Sequence, residues 1–260
     1  MATTIAQRGI KRQVREKLSD VVNTSTVKNF KVLPELNYVK KEKFRVLDKV
    51  LSVLEGNGIR PFLSFGLLLG MVREADIMNH DKDLDIGVFT SEALSGDVRG
   101  ILLSAGFEVK HFEGGEWPCR IKVFDPLFPV SIDIVFFHRE NDTLLTYVKY
   151  AGYTIIRKRK PFGLRQDTFL GRHVWVPSHP EEFLIENYGQ WKVKPDYYHY
   201  ILSSPLTDFS QPVIHYCLLQ ELFLSLAVKR FHHVRSLLKI ARTHFKEDTF
   251  FKNICLYERS

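Results

Sequence analysis

Residues 66–87 read Gly-Leu-Leu-Leu-Gly-Met-Val-Arg-Glu-Ala-Asp-Ile-Met-Asn-His-Asp-Lys-Asp-Leu-Asp-Ile-Gly, and this stretch decides the fold. A compact apolar run bracketed by Gly66 and Gly70 predicts a strand-to-helix turn. Leu84 to Phe89 then predicts a strand. Asp83 and Asp85 are two apart, and residues i and i+2 of a strand share a face. Leu84 and Ile86 point the other way, into a core. Two carboxylates held side by side at about 4 Å repel by about 4 kcal/mol at an effective dielectric near 20. Such a pair needs a cation or a shared proton, and hard divalent ions take a few carboxylates together with substrate phosphates.

A third carboxylate fits the same scheme. Asp133 is the only charge in Val130–Phe137, a strand in which Ile132 and Ile134 alternate with it. An acid inside such a strand is expensive unless it is paired or ligates an ion. A neighbouring strand brings Asp133 beside Asp83 and Asp85, and three carboxylates on adjacent strands hold metal for phosphoryl transfer.

Outward from this centre, Phe62–Phe65 predicts a short strand and Ser91–Ser104 a helix. Phe107–Phe112, Arg120–Phe124, Leu144–Tyr150, Tyr153–Arg157 and Val174–Val176 predict strands. Apolar spacing predicts a helix over 36–55 that stops at Gly56-Asn57-Gly58. Ser178, Pro180 and Glu181 carry the signals of a capped helix start, with the helix ending at Tyr188-Gly189. Residues 213–245 carry one long helical periodicity. The order predicts an α+β fold: a small mixed sheet with helices packed on it, an N-terminal helical arm and C-terminal helices. The expected divisions are 1–35 (basic arm and linker), 36–195 (catalytic core) and 196–260 (a helical region packed on the core).

Composition excludes several classes. The 260 residues are 45% hydrophobic and 26% charged, enough apolar material for a core and against global disorder. The net charge of +7 resides in residues 1–60, which carry 13 Lys/Arg against 6 Asp/Glu; the remainder is balanced at 24 against 24. A nucleic-acid binder would stripe its charge over the folded domain, so no nucleic-acid partner is expected. Three distant cysteines predict reduced thiols. No run reaches the length of a membrane span. The opening residues lack the apolar region of a secretory signal, so the expected location is cytoplasmic. Residues 4–22 read as a basic amphipathic helix that docks on an anionic membrane surface or a partner, or else packs on its own domain or frays in solvent; the first of these adds peripheral membrane contact to the expectation.

The ordered combination resembles the LicD/fukutin family of the nucleotidyltransferase superfamily. That family pairs a G-T-L-L-G-x-x-R segment with a D-D-D-I-D-I-G strand and a later lone Asp. Here these are Gly66–Arg73, Asp81–Gly87 and Asp133, followed by the similar Phe169-Leu170-Gly171, Val174–Pro177, Glu181–Leu184 and Tyr188-Gly189. The likeness covers about residues 60–191. Leu67 stands where the family carries a hydroxyl residue. Lys82 replaces the middle acid of the triplet, which leaves Asp83 and Asp85. No counterpart of the zinc loop of some animal relatives is present.

The resemblance implies a nucleotidyltransferase-like fold and a specific reaction. Family members move the alcohol phosphate of a CDP-linked donor, such as CDP-choline or CDP-ribitol, to a sugar hydroxyl of a glycan or glycolipid and release CMP. It implies Mg²⁺ or Mn²⁺ held by Asp83, Asp85 and Asp133, with Asp133 also serving as general base. It implies phosphate contacts at Gly66, Leu67, Gly70 and Arg73. Two other readings of the same residues are nucleotidyl transfer from an NTP and a non-catalytic binding module on the same fold.

Other residues keep two readings at this level. Arg157-Lys158-Arg159-Lys160 is either a solvated strand end or a holder of donor phosphates or an anionic acceptor. Trp175, Tyr188 and Trp191 are either core aromatics or a stacking surface for a base or sugar. His80 and Asp81 either join the outer shell of the metal or stand apart from it. Neighbouring His232 and His233 face different helix sides, which argues against a metal site.

Overall fold

The computed structural model describes residues 40–78, 81, 83–112, 119–128, 130–195 and 197–248. The expected basic arm and linker of residues 1–35, together with His80 and Lys82, lie outside the described residues.

Helix α1 (Lys40–Gly56) buries Val46, Leu47, Val50, Leu51 and Leu54, spaced three and four apart as one helical face requires. Strand β1 (Phe62–Leu63) leads directly into helix α2 (Phe65–Glu74). The expected turn across Gly66–Arg73 is therefore a correction: those residues are helical, and the turn is confined to Ser64 and Phe65, the latter at φ +42°. Leu67, Leu68 and Leu69 are good helix formers whose burial rewards the helix. Neither bracketing glycine adopts a left-handed conformation. Gly70 instead permits close approach, since a Cβ there would lie 2.6 Å from the Asp76 carbonyl oxygen.

Strand β2 (Asp83–Phe89) follows, then α3 (Ser95–Ser104), β3 (Glu108–Phe112), β4 (Arg120–Phe124), β5 (Ser131–Glu140), β6 (Thr143–Tyr150) and β7 (Tyr153–Arg159). The edge hairpin is β8 (Leu164–Phe169) with β9 (Arg172–Pro177), succeeded by α4 (Pro180–Tyr188), α5 (Pro212–Ala227) and α6 (Phe231–His244). The main path of the sheet runs β3-β4-β5-β2-β1-β9-β8, with β6 on the far end of β5 and β7 on β6. The β2–β5 and β1–β9 pairs are parallel and the other pairs antiparallel, so the sheet is mixed. With six helices beside nine strands among the described residues, the fold is α+β, as expected.

Three local expectations change. Strand β8 is not among the expected strands, because an exposed edge strand reading Leu-Arg-Gln-Asp-Thr-Phe lacks an apolar face. At α4 the N-cap is His179, without a side-chain bond; the backbone N–H of Ser178 instead donates to the Gly163 carbonyl at 2.8 Å. The long periodicity of 213–245 is split at Val228–Arg230, where Lys229 turns at φ +56°. The split lets Cys217, Leu218 and Leu222 of α5 share one core with Val234, Leu237 and Leu238 of α6, together with Ile155, Ile201 and Leu202. Cys119 and Cys217 are buried free thiols. Among the described residues no helix is long and apolar enough to cross a membrane.

Candidate active site

The parallel β2–β5 pair sets Asp83 opposite Ser131 and Asp85 opposite Asp133. On the other side of β5, antiparallel β4 sets Lys122 opposite Asp133. Asp133 is thus flanked by a carboxylate on one strand and an ammonium on the other. Alternation makes this arrangement: Leu84, Ile86, Ile132, Ile134, Ile121 and Val123 fill the core from one face, so the charged residues between them share the opposite face.

That face floors a cavity of about 540 Å³. Asp81, Asp83, Asp85 and Asp133 line it together with Gly66. The Gly66 backbone N–H donates to Asp85 Oδ2 at 3.3 Å. A Cβ on Gly66 would lie 3.0 Å from Asp81 Oδ2 and 3.3 Å from Asp85 Oδ2, so glycine lets the start of α2 approach both carboxylates. Arg120 Nη1 donates to Asp133 Oδ2 at 2.7 Å. Lys122 Nζ donates to Asp83 Oδ2 at 2.7 Å and lies 3.2 Å from Asp133 Oδ1.

The electrostatics follow from this crowding. Asp85 meets the cavity but is otherwise enclosed by protein. Burial, then the charges of Asp133, Asp83 and Asp81, push its pKa well above the ordinary carboxylate value. Burial lifts Asp81 to about 6, against the opposing charge of Lys43. Asp133 is also raised, because its burial outweighs Arg120 and Lys122. Burial works against the charge on Lys122, yet the carboxylates of Asp83 and Asp133 outweigh it and hold the ammonium above its ordinary value.

The donor set consists of oxygen atoms alone, which matches a hard divalent cation. Two further observations fit one. Asp81 Oδ2 is buried without a hydrogen-bond partner among the described residues. The bridging Lys122 ammonium marks a point where Asp83 and Asp133 already share positive charge. Among the described residues, no three His, Cys, Asp or Glu side chains stand in a ready-made coordination group, since Arg120 and Lys122 engage two of the aspartates.

The structure thus brings together Asp83, Asp85, Asp133 and Gly66. It places Leu67, Gly70 and Arg73 elsewhere. The Leu67 side chain is buried in the core and Gly70 packs on the backbone of Asp76. Arg73 donates to the Trp191 carbonyl (3.4 Å), Glu74 Oε1 (2.9 Å) and Met78 Sδ (3.1 Å), outside the cavity lining. All three follow Gly66 along a helix whose other faces meet the core. Only the first turn of α2 reaches the cavity.

Sequence reasoning missed Arg120 and Lys122, although charges at alternate positions among buried Ile121 and Val123 were a usable signal. It also missed Thr146, Tyr198 and Tyr200, which line the same cavity and carry no signal in the sequence. The basic run is not a solvated strand end throughout: Arg157 and Arg159 are buried, while Lys158 and Lys160 are exposed. Tyr188 lines the cavity, whereas Trp191 is buried outside its lining and Trp175 sits under Arg60.

Residues 58–179 match the family described as LicD/FKTN/FKRP, nucleotidyltransferase domain. Two curated relatives are the proteins named ribitol-5-phosphate transferase FKTN of Macaca fascicularis, 30% identical over 161 residues, and of Homo sapiens, 29% identical over 161 residues. Each match covers 59% of this chain and 33% of the relative, so the chain spans about a third of the length of these relatives. The uncharacterized protein RT0683 of Rickettsia typhi is 24% identical over 151 residues, covering 57% of this chain and 46% of that protein. Among solved structures, the antibiotic-resistance factor ANT(2'')-Ia superposes with a TM-score of 0.40 at 15% identity, over 76% of this chain and 100% of that one. The matched segment contains α2, the Asp83–Asp85 strand and Asp133, and over these residues the chain is similar to the LicD/FKTN/FKRP nucleotidyltransferase domain.

Proposed function

We propose that this chain is a metal-dependent transferase that moves a substituted phosphate from a CDP-linked alcohol to a sugar hydroxyl of a glycan or glycolipid and releases CMP. The observation that carries the reading is the register pair Asp85–Asp133, with Asp83 beside it, on the floor of a cavity inside a LicD-family domain. The names of the two FKTN relatives support substituted-phosphate transfer as the reaction class.

In this reading Asp83, Asp85 and Asp133 hold a divalent cation, Mg²⁺ or Mn²⁺, which supplies charge neutralisation to the diphosphate when bound. The chain's own residues do the rest by positioning and electrostatics. The Gly66 N–H keeps Asp85 oriented at the cavity floor. Arg120 and Lys122 balance the aspartate charge on the β4 side. The acceptor oxygen forms a bond to the phosphorus that bears the alcohol, and the bond from that phosphorus to the bridging oxygen breaks, leaving CMP. The hydroxyl proton passes to Asp133, whose burial raises its pKa above that of an ordinary carboxylate and so makes it a stronger base.

The test is CMP release from CDP-ribitol and CDP-choline with a panel of sugar acceptors, in Mg²⁺ and in chelator, for wild type and Asp85→Asn. The reading expects turnover that needs the metal and falls by at least about a hundredfold in the variant. Pyrophosphate release from an NTP would replace it with nucleotidyl transfer. Binding of CDP without turnover of any donor would replace it with a binding module.

A further inference from the structure

Strands β6 and β7 form another wall of the same cavity, and Thr146 pairs with Arg157 across them. Cross-strand partners lie on one face of a sheet, about 5 Å apart at Cβ. Thr146 is fully buried and Arg157 is 5% exposed. Both nevertheless carry polar atoms left over: Thr146 Oγ1 and Arg157 Nε have no hydrogen-bond partner among the described residues. The contact Arg157 does make is from Nη2 to the Tyr200 carbonyl oxygen. Tyr198, Tyr200 and Tyr188 bear on its guanidinium, and its charge acts in turn on His199 and Arg159; none of these is a carboxylate.

The other cations near this cavity differ. Arg120 and Lys122 face Asp133 and Asp83. Arg159, two residues on and equally buried, lies over the rings of Phe65, Phe137 and Phe183 and donates to Asn187 Oδ1; its Nε and Nη1 also lack partners among the described residues, but it lies outside the cavity lining, to which Arg157 belongs. A guanidinium removed from water without a counter-ion is costly, and an unpartnered hydroxyl beside it adds to that cost. The fork of an arginine with an adjacent hydroxyl is a donor set for an oxyanion.

We propose that Thr146 and Arg157 form an oxyanion subsite that takes a phosphate or carboxylate group of the ligand, distinct from the aspartates of β2 and β5. The inference rests on reading this cavity as the substrate site, and it adds that the bound substrates present an anionic group to the β6–β7 wall. That group belongs either to the diphosphate of the donor or to an anionic acceptor.

Calorimetric titration of the full chain in Mg²⁺ tests this, first with CDP and then with inorganic phosphate in the presence of excess CDP. The variants are Thr146→Val, which keeps shape and loses the hydroxyl, and Arg157→Met; Lys158→Met, at the exposed neighbour, is the control. Thr146→Val is expected to melt no lower than wild type without ligand, because it removes an unpartnered hydroxyl. It should weaken binding at least threefold, and Arg157→Met at least tenfold, while Lys158→Met leaves it unchanged. Weakening of CDP assigns the subsite to the donor; weakening of phosphate alone assigns it to the acceptor.

A Thr146→Val protein that melts several degrees lower would make the hydroxyl structural and overturn the subsite. So would variants that bind both probes like wild type, and in that case CDP binding lost in Asp85→Asn would leave the proposed function standing. Phosphate bound through Arg157 by a protein that ignores CDP would keep the subsite and sink the cytidine donor. Wild type that binds neither probe overturns both.

Discussion

Acid should loosen the tyrosine wall of the cavity, and His199 is the reason. Its Nδ1 accepts the backbone N–H groups of Ile201 (3.3 Å) and Leu202 (3.2 Å). Its ring stacks on Tyr200 and meets the edge of Tyr150. Burial, then the nearby charge of Arg157, lowers its pKa to about 4. Glu221 Oε1 lies 3.7 Å from Nε2, beyond hydrogen-bonding distance, so it compensates little. In the unfolded chain the same histidine titrates near 6.5.

The folded state therefore resists a proton that the unfolded state accepts between pH 6.5 and 4. The stability from this group is complete above pH 6.5 and is lost as pH falls toward 4. Between pH 7.5 and 4.5 the loss is about 2.5 kcal/mol, or roughly 5–10 °C in Tm. His199→Asn places an amide oxygen where Nδ1 accepts and removes the titration. The assay is urea unfolding followed by tryptophan fluorescence at several pH values. This variant should start less stable at pH 7.5, for lost ring packing, yet lose about 2.5 kcal/mol less than wild type on acidification. If the two stability curves fall in parallel, the argument is wrong and His199 titrates normally in the fold.

Three further outcomes follow from the packing and charges. Gly87→Ala would put a methyl carbon 2.2 Å from Phe62 Cζ and 2.8 Å from Phe137 Cε2, so it should destabilise by about 3 kcal/mol or more in the same urea assay. Gly66→Ala should melt within about 2 °C of wild type, because its methyl meets carboxylate oxygens rather than core atoms; CMP release should nevertheless fall at least about tenfold through displacement of Asp81 and Asp85. Lys122→Met removes the ammonium shared by Asp83 and Asp133 and should cost about 1–3 kcal/mol in chelator. Thermal melts should show part of that loss restored by millimolar Mg²⁺ and none of it by Na⁺ at equal ionic strength.

Whatever depends on near neighbours was legible in the chain. The two-residue spacing of Asp83 and Asp85 placed both carboxylates on one face, because strand periodicity is local. The lone Asp133 among isoleucines advertised a group that needed a partner. Helix α1 and the Pro180 start of α4 followed from apolar spacing and turn chemistry. The α+β class followed from the order of these elements, and the family resemblance from the ordered motifs.

Tertiary structure decided what pairs with what. Parallel pairing of β2 with β5 set Asp85 against Asp133, and antiparallel β4 brought Arg120 and Lys122 to the same carboxylates; register between distant strands is not encoded in either strand alone. The helix at Gly66–Arg73 turned Leu67, Gly70 and Arg73 away from the cavity and left Gly66 at its edge. The basic run illustrates the division best. Its four residues read as one charged patch, yet strand alternation buries Arg157 and Arg159 and exposes the lysines between and after them. Only the packing of α2, β5 and α4 decides that Arg159 meets phenylalanine rings, and only the pairing with β6 that Arg157 lies across from Thr146, because burial and pairing are properties of the assembled fold.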